Sequence, residues 1–373
     1  MKVLVLAPPM GAVGGVQQYT ATLIRGLEEV LGAANVRLIA VPGEAEARIG
    51  GSVALRRSVK ARFLSRVIWQ AMRWRPNLIV CTHLGVALAA LRVKSLSGIP
   101  YWIVVHGIEV WGDLPPAKLR ALRQAQRLIA NSKFTLDATV SRHALTGKAT
   151  GILPPAFQES ELAASSLAIE SPEGQEHIRP TVLTVGRLAE SERYKGHDMM
   201  LDAWVKVRQQ IPDGMYVIVG DGDDRHRLET RAKGLGIFDS VKFAGAISGA
   251  ALHKYYDACH VFALPARTDL DPRAPRGEGF GIVFLEAMSH GKPVVGPRAG
   301  APAEFIHDRE HGILVDPTKP QEIAEALIEL LRHRELAEQM GRAGKEWVRQ
   351  EYSFEKFRER LKGILSSVAK EQM

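Results

Sequence analysis

Two successive series of strand-length apolar runs, each alternating with helical segments, constrain the fold of this 373-residue chain most strongly. The first series begins with KVLVLA at residues 2–7, followed by a glycine-rich turn and a segment with helical spacing of apolar residues. Its later runs are NLIVCTH (77–83), YWIVVHG (101–107) and RLIANS (127–132). This alternation predicts a parallel sheet covered by helices on both faces.

The alternation breaks between residues 154 and 180, which are polar, bounded by prolines and without a strand pattern. It resumes at TVLTVGRL (181–188) and continues through YVIVGDG, VKFAGAI, VFALP and KPVVGP before a long helical stretch begins near residue 320. We therefore predict an α/β protein with two doubly wound, Rossmann-like domains, at residues 1–157 and 181–352, joined by a linker at 158–180. We expect a C-terminal helix, about 353–373, to pack back onto the first domain. Ligands of such sheets bind at the carboxyl ends of the strands, so a central cleft between the domains is the expected site.

Charge is distributed unevenly along the chain, whose net charge is +8. Residues 1–157 carry 20 Lys and Arg against 7 Asp and Glu, and the densest part is LRRSVKARFLSRVIWQAMRWRP at residues 55–76. A basic helix with aromatic residues can lie on an anionic membrane surface. It can equally be a solvated basic face above a buried apolar stripe. We do not expect nucleic-acid binding, because no binding motif accompanies the charge.

The two cysteines, Cys81 and Cys259, provide neither a disulfide framework nor metal-ligand spacing. The chain also contains no apolar run approaching the ~18 residues of a membrane span. We therefore expect a cytoplasmic protein that is soluble or lies peripherally on the inner face of the membrane.

A glutamate stands at each end of EGFGIVFLE, residues 278–286. The glycines at 279 and 281 predict a loop that enters a helix near Ile282, with Glu286 in its first turn. Backbone N–H groups of Ile282 and Val283 would then suit a diphosphate. Glu286 could accept hydrogen bonds from ribose hydroxyls, and Glu278 from sugar hydroxyls. A carboxylate that caps an ordinary amphipathic helix would explain the same sequence pattern.

The stretch GRLAESERYKGHD, residues 186–198, directly follows a predicted strand. It places two cations, Arg187 and Lys195, near the carboxyl end of that strand. Arginine offers a bidentate fork to phosphate oxygens and lysine offers a point charge. Two surface cations are the alternative, but the flanking glycines favour a phosphate site.

These motifs together resemble glycosyltransferase family 4. Glu278 and Glu286 match the E-x7-E motif of retaining glycosyltransferases with the GT-B fold, and EGFGIVFLEAMSHGKPVVGPRAG resembles the family signature. The elements GRL…KGHD, VGDGDDR and HGILVDP (311–317) occur in the family's order. The resemblance is strongest over residues 181–317.

The resemblance implies roles for the residues of the second domain. Arg187 and Lys195 would neutralise the diphosphate of a nucleotide sugar, and Glu286 would bind its ribose. The donor sugar would be held by Glu278 together with the backbone of Gly279, Phe280 and Gly281.

In the first domain the resemblance implies fewer roles. His106 of VVHGIEVWG would face the donor sugar, and Gly14 and Gly15 of GAVGGVQQ would lie near the phosphates and the acceptor. Asn131 and Ser132 of IANSKF also match the family pattern.

The implied reaction is transfer of a hexose, with retention, from GDP-mannose or a UDP-sugar to a hydroxyl of a glycan or lipid-linked acceptor. Cell-envelope polysaccharide or glycolipid assembly is the expected setting. No metal and no cofactor beyond the donor is expected, although Asp221-Gly222-Asp223 and Asp269-Leu270-Asp271 each have the D-x-D pattern of metal–diphosphate sites. The first is more simply a strand-to-helix turn. A nucleotide-sugar 2-epimerase and a non-catalytic sugar-nucleotide-binding subunit remain as alternatives.

Overall fold

The computed structural model of the chain describes residues 1–11, 14–43, 46–49, 52–55, 57–157 and 179–371. Most of the predicted linker, residues 158–178, lies outside the described residues. The chain divides into two compact units. Unit 1 comprises Met1–Ala156, Leu270–Pro275 and Phe354–Met373, and unit 2 comprises Phe157–Asp269 and Arg276–Ser353.

Unit 1 is built on a six-stranded parallel sheet with the strand order β2-β1-β5-β6-β7-β8. Its strands are β1 (Val3–Ala7), β2 (Val36–Ala40), β5 (Leu78–Cys81), β6 (Tyr101–Val105), β7 (Arg127–Ala130) and β8 (Ala149–Ile152). A separate antiparallel hairpin contains β3 (Glu46–Ile49) and β4 (Ser52–Leu55). The predicted parallel sheet is confirmed.

The helices of unit 1 connect these strands and cover the sheet. They are α1 (Gly15–Leu31), α2 (Arg57–Trp74), α3 (Ala87–Ser97), α4 (Ile108–Trp111), α5 (Pro116–Gln124), α6 (Lys133–His143) and the C-terminal α13 (Phe354–Glu371). Strand residues alternate between two apolar clusters: Leu4 and Leu6 of β1 face one, and Val3 and Val5 face the other. The sheet is therefore buried on both sides, which explains the continuous apolar runs of its central strands.

Helix α13 packs against α1 within unit 1. A Cβ on Gly26 would lie 3.1 Å from both Leu361 Cδ2 and Phe357 Cε1, so the small residue permits the close approach. The Arg25 guanidinium carbon lies 3.9 Å from the centre of the Phe354 ring.

Unit 2 repeats the architecture with the strand order β11-β10-β9-β12-β13-β14, again all parallel. Its strands are β9 (Thr181–Val185), β10 (Met215–Val219), β11 (Val241–Gly245), β12 (Val261–Ala263), β13 (Val294–Pro297) and β14 (Gly312–Val315). Its helices are α7 (His197–Gln210), α8 (Arg225–Gly234), α9 (Ala250–Ala258), α10 (Ile282–Ser289), α11 (Pro320–Arg332) and α12 (Arg334–Glu351). Two apolar clusters again lie on opposite faces, with Val182 on one and Leu183 on the other.

Among the helices of the described residues, none combines the length and apolar character needed to cross a membrane.

Candidate functional site

In unit 2, the turn after β9 lies closely against the loop after β10. Gly220 has φ +147°, and a Cβ there would overlap the carbonyl oxygen of Gly186. A Cβ on Gly186 would in turn lie 3.2 Å from Lys195 Cδ. Glycines are therefore required where these two strand ends meet, and they bring Lys195 against the start of the GRL segment.

Lys195 and Glu278 form an ion pair although 83 residues separate them in sequence. Their side chains are only 12% and 15% exposed, so the pair is largely removed from solvent. The structure thus brings together the lysine of the GRL…KGHD element and the first glutamate of the E-x7-E motif, as a common binding site requires.

Arg187 pairs with a residue that the sequence analysis did not select, Glu192. The arginine side chain is 76% exposed, whereas that of Glu192 is 10% exposed. Glu192 Oε2 also lies 3.8 Å from Lys195 Nζ and has no hydrogen-bond partner among the described residues. Two cations and two carboxylates therefore share this strand end. Glu192 was detectable only as an acid inside the same motif, since sequence does not reveal its burial.

Ion pairs between arginines and aspartates connect the same segment to the neighbouring helices. Asp224 accepts hydrogen bonds from Arg193 Nη2 at 2.7 Å and from Arg227 Nη2 at 2.6 Å. Burial alone would raise the pKa of Asp224, but the bonds from Arg227 and Arg193 outweigh it and lower the pKa to about 2. Arg227 also binds Asp198 of α7. The GRL…KGHD segment is thereby tied to α7 and α8.

His197, the next-to-last residue of this segment, is only 4% exposed. Burial, aided by the neighbouring Lys195 charge, lowers the pKa of His197 to about 4. The imidazole is therefore neutral at pH 7, and it adds no third positive charge to the cluster.

The E-x7-E loop enters α10 at Ile282, as predicted, with Gly281 as the residue preceding the helix at φ +92°. Glu286 is the fifth residue of this helix, so its predicted place in the first turn is wrong. With 3.6 residues per turn and a start at Ile282, Glu286 falls in the second turn of the helix, while Glu278 stays on the preceding loop. Phe280 is 5% exposed and stacks on Phe305 at 4.6 Å. Its side chain belongs to the core, which leaves its backbone for any ligand.

Glu286 accepts a hydrogen bond from the hydroxyl of Tyr256 on α9 at 2.7 Å. Tyr256 is fully buried and stacks on His290, with ring centres 5.4 Å apart. Tyr256 was not predicted from the sequence, because nothing in its local pattern distinguishes it from a core aromatic residue.

In unit 1, His106 follows the carboxyl end of β6. Its Nε2 lies 2.7 Å from the carbonyl oxygen of Thr82, and its backbone N–H donates to Glu109 Oε1 at 2.6 Å. Its ring is stacked with that of His83, with 6.3 Å between the ring centres. The carbonyl partner assigns the proton to Nε2, so Nδ1 is the acceptor. Burial lowers the pKa of His106, which keeps the ring neutral at pH 7.

The other predicted residues of unit 1 lie at the same edge of its sheet. Gly14 precedes α1 and Gly15 begins it, while their neighbours at 12 and 13 lie outside the described residues. Asn131 Nδ2 donates to the carbonyl of His106 at 3.1 Å, and Ser132 caps α6 by accepting from the Thr135 N–H at 3.1 Å. These last two residues therefore hold the strand ends in place.

Three of the D-x-D carboxylates accept hydrogen bonds from backbone N–H groups. Asp221 Oδ1 accepts from the Gly222 N–H at 2.9 Å, and Asp271 Oδ1 accepts from the Arg273 N–H at 2.9 Å, as in turns. Asp223 Oδ1 accepts from the N–H of Glu190, 33 residues away, at 2.8 Å and so joins the two loops.

Within the part of the chain that the structure describes, one other group could supply metal ligands: atoms of His307, Glu310 and His311 lie within 4.8 Å of one another. The two imidazoles stack at 4.6 Å with only 23° between their planes. A metal ion lies in the plane of each imidazole that binds it, so the rings would have to rotate before both could share an ion.

The basic segment forms α2, as the sequence predicted. Val59, Phe63, Val67 and Ala71 are buried in the core of unit 1. A second stripe, defined by Arg62, Arg66, Trp69 and Arg73, is exposed, and Trp69 is 61% exposed. The helix therefore has both the buried apolar face and an exposed basic aromatic stripe. Arg56 lies outside the described residues.

Two family models match the chain. Glycosyltransferase Family 4 matches residues 13–157, and Glycosyl transferases group 1 matches residues 168–347. The GDP-mannose-dependent alpha-(1-6)-phosphatidylinositol monomannoside mannosyltransferase of Mycobacterium tuberculosis H37Rv is 31% identical over 296 residues, covering 75% of this chain and 73% of the relative. The enzyme of the same name from Mycolicibacterium smegmatis is 33% identical over 274 residues, covering 70% and 68%.

Solved structures share the fold over the whole chain. HepE of Anabaena, in complex with UDP, has a TM-score of 0.75 and 20% identity, covering 98% of this chain and all of that one. Sucrose-phosphate synthase of Thermosynechococcus elongatus has a TM-score of 0.77 and 20% identity, covering 99% of both chains. The chain therefore belongs to glycosyltransferase family 4 and is a hexosyltransferase with the GT-B fold.

Proposed function

We propose that the enzyme transfers a hexose, with retention of configuration, from a nucleoside diphosphate sugar to a hydroxyl of a glycan or lipid-linked acceptor. The observation that carries the proposal is the cluster of Arg187, Lys195 and Glu278 after β9. Two cations suited to a diphosphate come from one motif there, and a carboxylate suited to a sugar joins them from 83 residues beyond Lys195.

The cations act on the leaving group. When the bond from C1 of the sugar to the diphosphate breaks, negative charge grows on the phosphate oxygens and the sugar becomes oxocarbenium-like. Arg187, Lys195 and the first amides of α10 stabilise that charge. The acceptor oxygen bonds to C1 on the same face, and its proton passes to the departing phosphate. Each preorganised donor of this kind contributes about 3–4 kcal/mol, or on the order of 100- to 1,000-fold in rate.

The remaining predicted residues keep the roles that the family gives them. Glu286 binds the ribose, while Glu278 and the backbone of Gly279–Gly281 hold the donor sugar. His106, Gly14 and Gly15 serve the donor from unit 1. The cations replace a metal ion as the counter-charge of the diphosphate, so activity is metal-independent.

GDP-mannose is the preferred donor in this proposal, with UDP-sugars as the second choice. Support comes from relatives whose names specify GDP-mannose and a phosphatidylinositol monomannoside acceptor. The base would be recognised by backbone near Gly245–Ile247, where Gly245 has φ +79°.

We also propose that the protein works at the inner face of an anionic membrane, in cell-envelope polysaccharide or glycolipid assembly. The exposed stripe Arg62–Arg66–Trp69–Arg73 supports this, because arginines attract anionic headgroups and tryptophan inserts at the interface. A lipid-linked acceptor would reside at that surface.

Nucleotide binding tests the donor site. The melting temperature is measured with UDP and with GDP, for the native protein, Arg187→Ala and the control Arg334→Ala, whose side chain is 82% exposed on α12. One nucleotide at 100 times its Kd should stabilise the native protein by about 2.7 kcal/mol. The control should retain the shift and Arg187→Ala should lose it. A shift unchanged in Arg187→Ala would remove the diphosphate role of Arg187, and no shift with either nucleotide would contradict the donor site.

A further inference from the structure

Tyr256 is buried next to Glu286, and its hydroxyl donates a hydrogen bond to the Glu286 carboxylate. We propose that Tyr256 is a positioning residue that fixes the Glu286 carboxylate for recognition of the ribose. The inference rests on the proposed function, in which Glu286 accepts hydrogen bonds from ribose hydroxyls.

The contact fixes one carboxylate oxygen. Tyr256 is 0% exposed, and its hydroxyl donates to Glu286 Oε2 at 2.7 Å. Burial first, and then the Glu286 charge, raise the pKa of Tyr256 well above its ordinary value, so the hydroxyl keeps its proton and remains a donor. A carboxylate held at one oxygen cannot rotate freely, so the direction of its other oxygen is also set.

Two aromatic side chains pack against the Tyr256 ring. His290, at the end of α10, stacks on it with ring centres 5.4 Å apart and 21° between the planes. Phe262 of β12 packs at 6.0 Å. His290 Nδ1 lies 2.6 Å from Asp257 Oδ1, and His290 Nε2 lies 2.9 Å from His253 Nδ1.

This network joins α9 to α10 at the level of Glu286. Burial lowers the pKa of His290, so its ring is neutral at pH 7. A neutral ring that donates from Nδ1 to Asp257 accepts at Nε2 from His253, which satisfies all three side chains. The network therefore holds His290 against the Tyr256 ring, whose hydroxyl binds the Glu286 carboxylate.

A fixed carboxylate discriminates ligands by their hydroxyls. A hydrogen bond between a ligand hydroxyl and a charged, positioned group contributes on the order of 10- to 100-fold in affinity. A ligand without ribose hydroxyls gains nothing from Glu286. Loss of the Tyr256 hydroxyl should therefore weaken binding of the ribose form and leave the dideoxyribose form nearly unchanged.

The experiment measures dissociation constants by calorimetry for UDP, GDP and their 2′,3′-dideoxy analogues. The proteins are the native enzyme, Tyr256→Phe, Glu286→Gln, the double variant and Tyr255→Phe. Tyr255 is the matched control: it neighbours Tyr256 in α9 and contacts Lys242, whose Nζ lies 5.9 Å from the centre of its ring.

The native protein and Tyr255→Phe should prefer the ribose form of the bound nucleotide by about 10-fold or more. In Tyr256→Phe the preference should fall to about 3-fold or less, and in the double variant it should equal that of Glu286→Gln alone. A purely structural role of Tyr256 would weaken both ligand forms equally and leave the preference intact.

The outcomes separate the two claims. If Glu286→Gln abolishes the preference and Tyr256→Phe retains it, the positioning role is wrong and the ribose role of Glu286 stands. If Glu286→Gln retains the preference, or if neither UDP nor GDP binds the native protein, the ribose role itself is wrong and the positioning role falls with it.

Discussion

At the scale of single residues, the candidate site is close to electrical balance before any ligand arrives. Arg187 is matched by Glu192 and Lys195 by Glu278, so a diphosphate has to compete with carboxylates for both cations. The Lys195–Glu278 pair is largely buried, whereas the Arg187 side chain is 76% exposed and is accessible to a ligand.

Asp224 allows a test of the network beneath this site. Because its pKa is depressed to about 2 in the folded protein, its stabilising contribution is complete above about pH 4 and is lost as the pH falls towards 2. Asp224→Asn should lower the melting temperature by about 4–8 °C at pH 7. The difference from the native protein should narrow by roughly half at pH 3. Asp213→Asn, at an exposed position of the same unit, is the control. A difference that stays constant from pH 7 to pH 3 would show that the charge of Asp224 is not the stabilising feature.

The residues that sequence reasoning found share one property: they stand in motifs with distinctive spacing. Arg187, Lys195, Glu278 and Glu286 are of this kind, and the structure joins Lys195 to Glu278. Glu192, Tyr256 and Asp224 were not found. The role of Glu192 depends on its burial, and Tyr256 and Asp224 each have a partner 30 or more residues away. Such partners are set by the fold and have no fixed sequence spacing.

At the scale of secondary-structure elements, burial explains which strands could be predicted. The central strands β1, β5, β6 and β7 are buried on both faces, so their sequences are apolar apart from Arg127 of β7. The edge strands β2 and β8 were not predicted, because β2 exposes Arg37 and Leu38 and β8 is only partly buried along its length. The edge strand β11 was predicted from VKFAGAI although it is also only partly buried, so exposure at an edge weakens the apolar pattern without always removing it.

The contact between α1 and α13 carries a prediction for Gly26. A valine there would meet Leu361 and Phe357, which a Cβ alone already approaches to 3.1 Å. Gly26→Val should destabilise the protein by about 1–3 kcal/mol and release α13, giving early cleavage near residue 354 in limited proteolysis.

Gly363→Val is the matched control on α13, because a Cβ at Gly363 meets no atom within 4 Å. It should leave proteolysis and stability nearly unchanged. Equal protease resistance of Gly26→Val and the native protein would contradict the packing role of Gly26.

At the scale of the whole molecule, charge is separated along the chain. Residues 1–157 carry the positive excess, and the rest of the chain is net negative. An anionic surface therefore attracts the part of the chain that holds α2 and repels the remainder. Membrane binding should be oriented and sensitive to salt.

Liposome sedimentation tests the role of α2. Native protein should pellet with vesicles containing phosphatidylglycerol and remain in solution with neutral vesicles. Arg62→Glu with Arg66→Glu should abolish pelleting, since each Lys or Arg near the surface contributes about 1 kcal/mol. Arg334→Glu with Arg342→Glu makes the same change in net charge on α12, where both residues are exposed, and should leave pelleting intact. Failure of the native protein to pellet at low salt would rule out membrane contact through α2.

Turnover of Arg187→Ala tests whether a cation after β9 stabilises the leaving diphosphate. The measurement is the rate of nucleoside diphosphate release from GDP-mannose and from UDP-glucose, native against variant, with melting temperatures recorded beside it. Arg187 is mostly exposed, so its loss should change the melting temperature by no more than about 2 °C, while turnover should fall on the order of 100- to 1,000-fold. Unchanged turnover in a folded Arg187→Ala variant would show that Arg187 does not stabilise the leaving diphosphate.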